Sequence, residues 1–217
     1  MDDPMLPVAT RLDRDCYYMG IAIAVRDRAN CQGRRVGAVL VREDRVIATG
    51  YNGTPTNMLN CDEGGCHRCA NPEQFASGTG YDLCICVHAE QNALLTAARF
   101  GIAVDGSVLY TTVRPCFGCT KELLQAGISK VYFLSDWEHP NAELQHEYER
   151  IQARIPHGIR RLEMDDPRAT WALGRGATPS GTGHSVPGSE ENQPSMSTEG
   201  QTTQESAVAG ESPASLG

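Results

Sequence analysis

Two short stretches of the chain carry side chains whose types and spacing can do chemistry: His88-Ala89-Glu90 and Pro115-Cys116-Phe117-Gly118-Cys119. One imidazole and two thiolates are borderline-to-soft donors suited to zinc. With His88, Cys116 and Cys119 as ligands, a tetrahedral ion keeps its fourth position for water, the mark of a catalytic rather than a closed structural site. Glu90, two residues after the histidine, is placed to move protons at that water. A metal-activated water with a carboxylate beside it is hydrolytic machinery. Taken alone, a Cys-x-x-Cys pair is equally a redox motif, half of a structural zinc site or two buried small side chains. Both halves together, each opening a helix, point to the catalytic reading.

The elements that position these residues are legible around them. Residues 89–100 (AEQNALLTAARF) repeat apolar side chains at helical spacing, which puts His88 and Glu90 at a helix N-terminus. Cys116 opens a second helix, with Leu123, Leu124 and Ala126 as its apolar face and Gly127 as its stop. Two positive helix ends aimed at the metal favour thiolate over thiol. Upstream, a helix is expected from Leu12 to about Arg28, with Tyr17, Ile21, Ala24 and Val25 on its buried face. Residues 36–41 and 45–51 bracket a Glu-Asp turn as a β-hairpin. Strands at 107–112, 130–134 and 159–162 alternate with the second catalytic helix and a charged helix over 142–154, implying parallel crossovers. The expected architecture is α/β: a five-stranded mixed sheet with helices on both faces and the hairpin at one end.

Length and composition set limits. The chain has 217 residues, enough for one domain with room for a tail. A net charge of −8 argues against a protein that tracks a phosphate backbone, while leaving room for one small anionic substrate. No apolar run is long enough to span a membrane, and the acidic Met1-Asp2-Asp3-Pro4 start lacks a secretory h-region. Nine cysteines in such a chain read as metal ligands or reduced thiols, with the cytoplasm as the expected compartment. Residues 1–11 read as a flexible leader, 12–166 as the domain, and the Ser-, Thr-, Gly- and Pro-rich 167–217 as a disordered tail.

Residues 52–87 are loop-rich and hold Cys61, Cys66, Cys69, Cys84 and Cys86. Such a segment cannot build its own apolar core, and a second, structural zinc would compensate. The five cysteines, or six candidates with His67, exceed the four positions of a tetrahedral site. Cys69, Cys84 and Cys86 with either Cys61 or Cys66 is the expected set.

With the motifs in place, the chain resembles the cytidine deaminase superfamily, whose nucleobase deaminases share the H-x-E…P-C-x-x-C signature. It is most similar to the deoxycytidylate (dCMP) deaminases, including the bacterial late-competence type. The likeness covers about residues 13–164. It includes Arg35-Val36-Gly37-Ala38, Gly50-Tyr51-Asn52-Gly53, Cys61-Asp62-Glu63, His88 to Ala93 and Leu124 to Ile128. The resemblance implies a three-layer α/β/α fold, zinc on His88, Cys116 and Cys119, and Glu90 as proton shuttle. It implies Asn52 at the deoxyribose and Arg28 at the 5′-phosphate, with Arg35 as second choice. Gly53 and Arg99 would serve dCTP and dTTP as effectors, and a homo-oligomer, commonly a hexamer, is expected. The reaction implied is hydrolysis of dCMP to dUMP in pyrimidine nucleotide metabolism.

This sequence departs from the family at Arg114, where an uncharged residue is usual, and in the first loop, Asn30-Cys31-Gln32-Gly33. Three further readings share the zinc motif: a nucleic-acid-editing deaminase (best as a tRNA adenosine deaminase), a deaminase of another small molecule, and a non-catalytic zinc-stabilised binding module. The absence of a basic strand path disfavours the first, and the intact Glu90 disfavours the last.

Overall fold

A computed structural model of the protein describes residues 11–75 and 78–174. The leader over 1–10 and the tail beyond Gly174 lie outside these described residues. Along the chain come α1 (Arg14–Arg26), β1 (Gly37–Arg42), β2 (Arg45–Tyr51), a short helix α2 (His67–Ala70), α3 (Ala89–Arg99), β3 (Val108–Val113), α4 (Phe117–Gln125), β4 (Lys130–Ser135), α5 (Ala142–Gln152), β5 (Ile159–Arg161) and a single turn α6 (Ala169–Ala172).

The strands form one five-stranded sheet in the order β2-β1-β3-β4-β5. The first two pairings, β2 with β1 and β1 with β3, are antiparallel. The last two, β3 with β4 and β4 with β5, are parallel. The β1–β2 turn rests on Glu43 and Asp44, both at positive φ (51° and 57°), the twist that two-residue hairpins require.

Strand alternation divides the core into two. Ala38, Leu40, Leu109 and Val131 face Ala89, Ala93 and Ala97 of α3 and Leu123 of α4. Their neighbours Val39, Val41, Tyr110 and Tyr132 face Tyr18, Met19 and Ala22 of α1. This is the expected three-layer α/β/α arrangement. Both helix layers approach through glycine. A Cβ on Gly37 would lie 2.2 Å from the Ala22 carbonyl oxygen, and one on Gly50 2.1 Å from that of Ala89. No side chain fits in those gaps, so β2 is pressed directly on the start of α3.

Two expectations are corrected here. The buried face of α1 is Tyr18, Met19, Ala22 and Arg26, whereas Tyr17 is more than half exposed. Apolar residues run almost all round this helix, so periodicity does not select a face. Arg26 does, through paired hydrogen bonds of 2.6 and 2.7 Å to Asp166 on the far side of the sequence. The ordered domain also runs past 166. Arg168 pairs with Asp27 at 2.8 Å, the guanidinium groups of Arg35 and Arg168 both lie over the Trp171 ring, 4.5 and 4.0 Å from its centroid, and the Arg35 N–H donates to the Ala172 carbonyl.

The Arg26–Asp166 pair is almost wholly buried. Replacing Asp166 by Asn strands a buried guanidinium and should lower stability by about 3–5 kcal/mol. Burial raises the Asp166 carboxyl, but the hydrogen bonds from Arg26 and the Arg168 N–H outweigh it, and its pKa lies below the usual value. Its contribution is therefore complete above the unfolded-state pKa and is lost as pH falls through the native one. Urea midpoints followed into acid should fall more steeply for the wild type than for D166N.

Candidate active site and metal centre

The site is assembled from two helix starts. His88 is the N-cap of α3 and Cys116 the N-cap of α4. The His88 N–H donates to the Gln91 carbonyl oxygen Oε1 at 2.9 Å, and Gln91 Nε2 donates to Glu122 Oε1 of α4 at 2.9 Å. One side chain thus closes the first turn of α3 and ties it to α4. Behind α4, the Pro115 carbonyl accepts from the Tyr148 hydroxyl and from Gln152 Nε2, both on α5.

These constraints bring His88 Nδ1 to 3.4 Å from Cys116 Sγ and 3.3 Å from Cys119 Sγ. Around tetrahedral zinc with ordinary Zn–N and Zn–S bonds, that separation would be roughly 3.6 Å. Donor types and spacing therefore fit a zinc ion with little adjustment. The neighbouring Cys119 thiol and His88 hold the Cys116 thiol down at about 4, while the same contact with Cys116, and burial, push the Cys119 thiol up. Glu90 is buried, with Oε2 accepting from Cys119 Sγ at 3.7 Å. Burial pushes its carboxyl up to about 7, in the range where a group both takes and gives protons efficiently.

A cavity of about 560 Å³ opens over this point, lined by His88, Glu90 and Cys116 at its metal end. Asn52 lines it too. Its amide is engaged in the scaffold, accepting from the Val36 N–H (2.8 Å) and donating to the Arg34 carbonyl (2.7 Å). Arg28 is exposed and absent from the lining, and Arg35 is spent on Trp171. The cavity cations are instead Arg34, Arg68 and Arg114. Arg114 is already neutralised by Asp136 at 3.3 Å and held by Gln152 Oε1, which explains how a charge is tolerated beside the metal ligands. Among the described residues Arg34 and Arg68 have no carboxylate partner; burial lowers the Arg34 pKa, as expected of a cation awaiting an anion. Tyr81 and Trp137 add aromatic walls. Spacing could not reveal these four, because they come from four separated segments.

Of the effector candidates, Gly53 is buried and pairs with Val87 as an isolated bridge. Arg99 is exposed at the opposite end of α3 from His88. Neither lines the cavity. The cysteine-rich segment is also revised. His67 is exposed and belongs to no ligand group, while Cys31 joins one. Two sets of four converge: Cys31, Cys61, Cys69 and Cys86, and Cys66, Cys69, Cys84 and Cys86.

Comparison with known proteins follows the geometry. Residues 12–135 match the family described as the cytidine and deoxycytidylate deaminase zinc-binding region. A deoxycytidylate deaminase of Schizosaccharomyces pombe is 41% identical over 157 residues, covering 71% of this chain and 48% of that protein. One of Saccharomyces cerevisiae is 46% identical over 119 residues, covering 55% of this chain and 36% of that protein. The chain thus spans half or less of the length of these two relatives. The crystal structure of a dCMP deaminase from cyanophage S-TIM5 in complex with dCMP and dUMP is 26% identical, with a TM-score of 0.54 over 71% of this chain and 100% of that one.

The α5 tether yields a prediction. Tyr148→Phe removes one hydrogen bond from the buried Pro115 carbonyl and should cost about 1–2 kcal/mol. Because that carbonyl precedes Cys116, the variant should also release zinc to a chelator faster, read with a colorimetric zinc dye.

Proposed function

We propose a reaction from one premise: the chain belongs to the cytidine and deoxycytidylate deaminase family. The reaction is the hydrolytic deamination of dCMP to dUMP and ammonia. It rests chiefly on the convergence of His88, Cys116 and Cys119 beside buried Glu90, at the end of a cavity that also presents Arg34 and Arg68, which among the described residues have no carboxylate partner.

His88, Cys116 and Cys119 would hold a zinc ion, and when bound it supplies a water acidic enough to lose a proton near neutral pH. Glu90 takes that proton and delivers it to N3 of the cytosine ring as oxygen adds to C4. It then takes the remaining proton from the new C4 hydroxyl and passes it to the departing amine, so C4–N breaks as C4=O forms and ammonia leaves. Tyr81 and Trp137 flank the ring and exclude water. Asn52, fixed through the backbone of Arg34 and Val36, presents the wall on which the sugar rests. Arg34 and Arg68 take the 5′-phosphate in place of Arg28. A second, structural metal lies in the cysteine-rich segment. The resemblance extends this proposal to a homo-hexamer acting on free nucleotides in the cytoplasm, with dCTP and dTTP as effectors near Gly53 and Arg99.

Two experiments test it. Glu90→Gln should keep its zinc and its fold while losing at least about a thousandfold in kcat, since it removes the only proton carrier assigned here; substantial residual ammonia release would refute the role. Arg34→Ala and Arg68→Ala should raise KM for dCMP at least about tenfold, the worth of one charge-assisted contact, and leave turnover of deoxycytidine unchanged. Equal losses on both substrates would remove the phosphate assignment.

A further inference from the structure

Six cysteines outside the catalytic centre form a side-chain cluster of their own: Cys31, Cys61, Cys66, Cys69, Cys84 and Cys86. We propose that they hold two metal ions, preferably zinc, as one binuclear thiolate cluster in which Cys69 and Cys86 each bridge both ions. This goes beyond the single structural ion inferred above, and it brings in Cys31, which lies outside the cysteine-rich segment.

Within each set of four, all ligand atoms lie within 4.8 Å of one another. The two sets share Cys69 and Cys86, so two tetrahedra of four corners with two in common use all six thiols. A tetrahedron of thiolates around zinc has an edge of roughly 3.8 Å, from a Zn–S bond of about 2.3 Å. Four of the sulfur–sulfur edges lie close to that spacing: Cys31–Cys69 at 3.7 Å, Cys66–Cys84 and Cys69–Cys84 at 3.8 Å, and the shared Cys69–Cys86 edge at 4.0 Å. Disulfide sulfurs would be at about 2.05 Å. A single ion on either set would leave two thiols buried or half-buried against it with no role.

Charge favours two ions as well. Six thiolates around one divalent ion carry a formal excess of four negative charges; around two ions the excess is two. The cluster lies next to the Gln32 N–H, which donates to Cys61 Sγ at 3.3 Å and satisfies part of that excess. Its position gives it a task. Cys31 follows α1, Cys61 to Cys69 belong to the segment around α2, and Cys84 and Cys86 lead into His88. Two ions would therefore tie three stretches of chain into the wall of the substrate cavity, which Cys31, Cys69, Cys84 and Cys86 line.

The test is the metal content of the full-length protein, purified without oxygen and weighed intact by native mass spectrometry. Three zinc ions per chain are expected, two in the cluster and one at His88, and a His88→Ala chain should retain two. Cys31→Ser and Cys66→Ser should each lose at least one ion. A single site on either set would leave one of these variants with its metal unchanged. Where the variants do not fold, cadmium-exchanged wild-type protein gives the same answer by cadmium NMR, as two thiolate-site signals coupled to each other through the shared sulfurs. Two zinc ions per chain, uncoupled cadmium signals, or iron with acid-labile sulfide would overturn the proposal. Because these readouts do not involve turnover, they stand or fall separately from the dCMP assignment.

Discussion

Two helices must begin within bonding distance of one ion, and most of this fold serves that constraint. The start of α3 is fixed from below by β2, which approaches so closely at Gly50 that a methyl group would collide with the Ala89 carbonyl. The start of α4 is fixed by its strand: β3 runs parallel to β4, and α4 is the crossover between them. The Gln91–Glu122 hydrogen bond then locks one start to the other. Helix ends make useful ligand platforms because the backbone is already ordered there and the dipole favours anionic sulfur. A loop would have to lose the corresponding entropy on each metal encounter.

The segment between β2 and α3 solves a different problem. Leu59, Tyr81, Leu83 and Ile85 are exposed, and its buried interior consists of cysteine side chains rather than aliphatic ones. Such a segment buries too little apolar area to offset its ordering. Metal–thiolate bonds are one interaction that can supply such energy outright. The described residues thus hold one three-residue group, His88 with Cys116 and Cys119, and two groups of four cysteines.

Some of this was legible in the residues and some was not, and sequence separation marks the boundary. His88, Glu90, Cys116 and Cys119 are read from two local patterns, because their roles depend on spacing within one helix turn. The strands are legible as short runs rich in Val, Ile, Leu and Tyr, and the hairpin from its Glu-Asp turn; in β1 and β3 successive residues then go to opposite core clusters. The orientation of α1 depends on a partner for Arg26 140 residues away, and the ligand role of Cys31 on Cys69, 38 residues away. The place of Arg28 outside the cavity lining has a related cause. Arg28 and Arg34 are equally basic, but only the path of the chain after α1 turns Arg34 inward and leaves Arg28 in solvent. Trp171 and Leu173 sit in a polar stretch whose composition resembles the tail, yet each packs against the domain.

Net charge describes partners poorly once the cavity is known. The chain carries eight excess negative charges, which repel a polyanion approaching from any side. Inside the cavity the balance is different, and it is set by which cations already have partners. Asp136 and Gln152 occupy Arg114, so its charge is not on offer although it stands beside Pro115. Arg34, partly withdrawn from water, and Arg68, held through its Nε by the Thr79 carbonyl, keep donors free. A partly desolvated guanidinium gains more from an incoming phosphate than an exposed one does, because less hydration remains to be displaced.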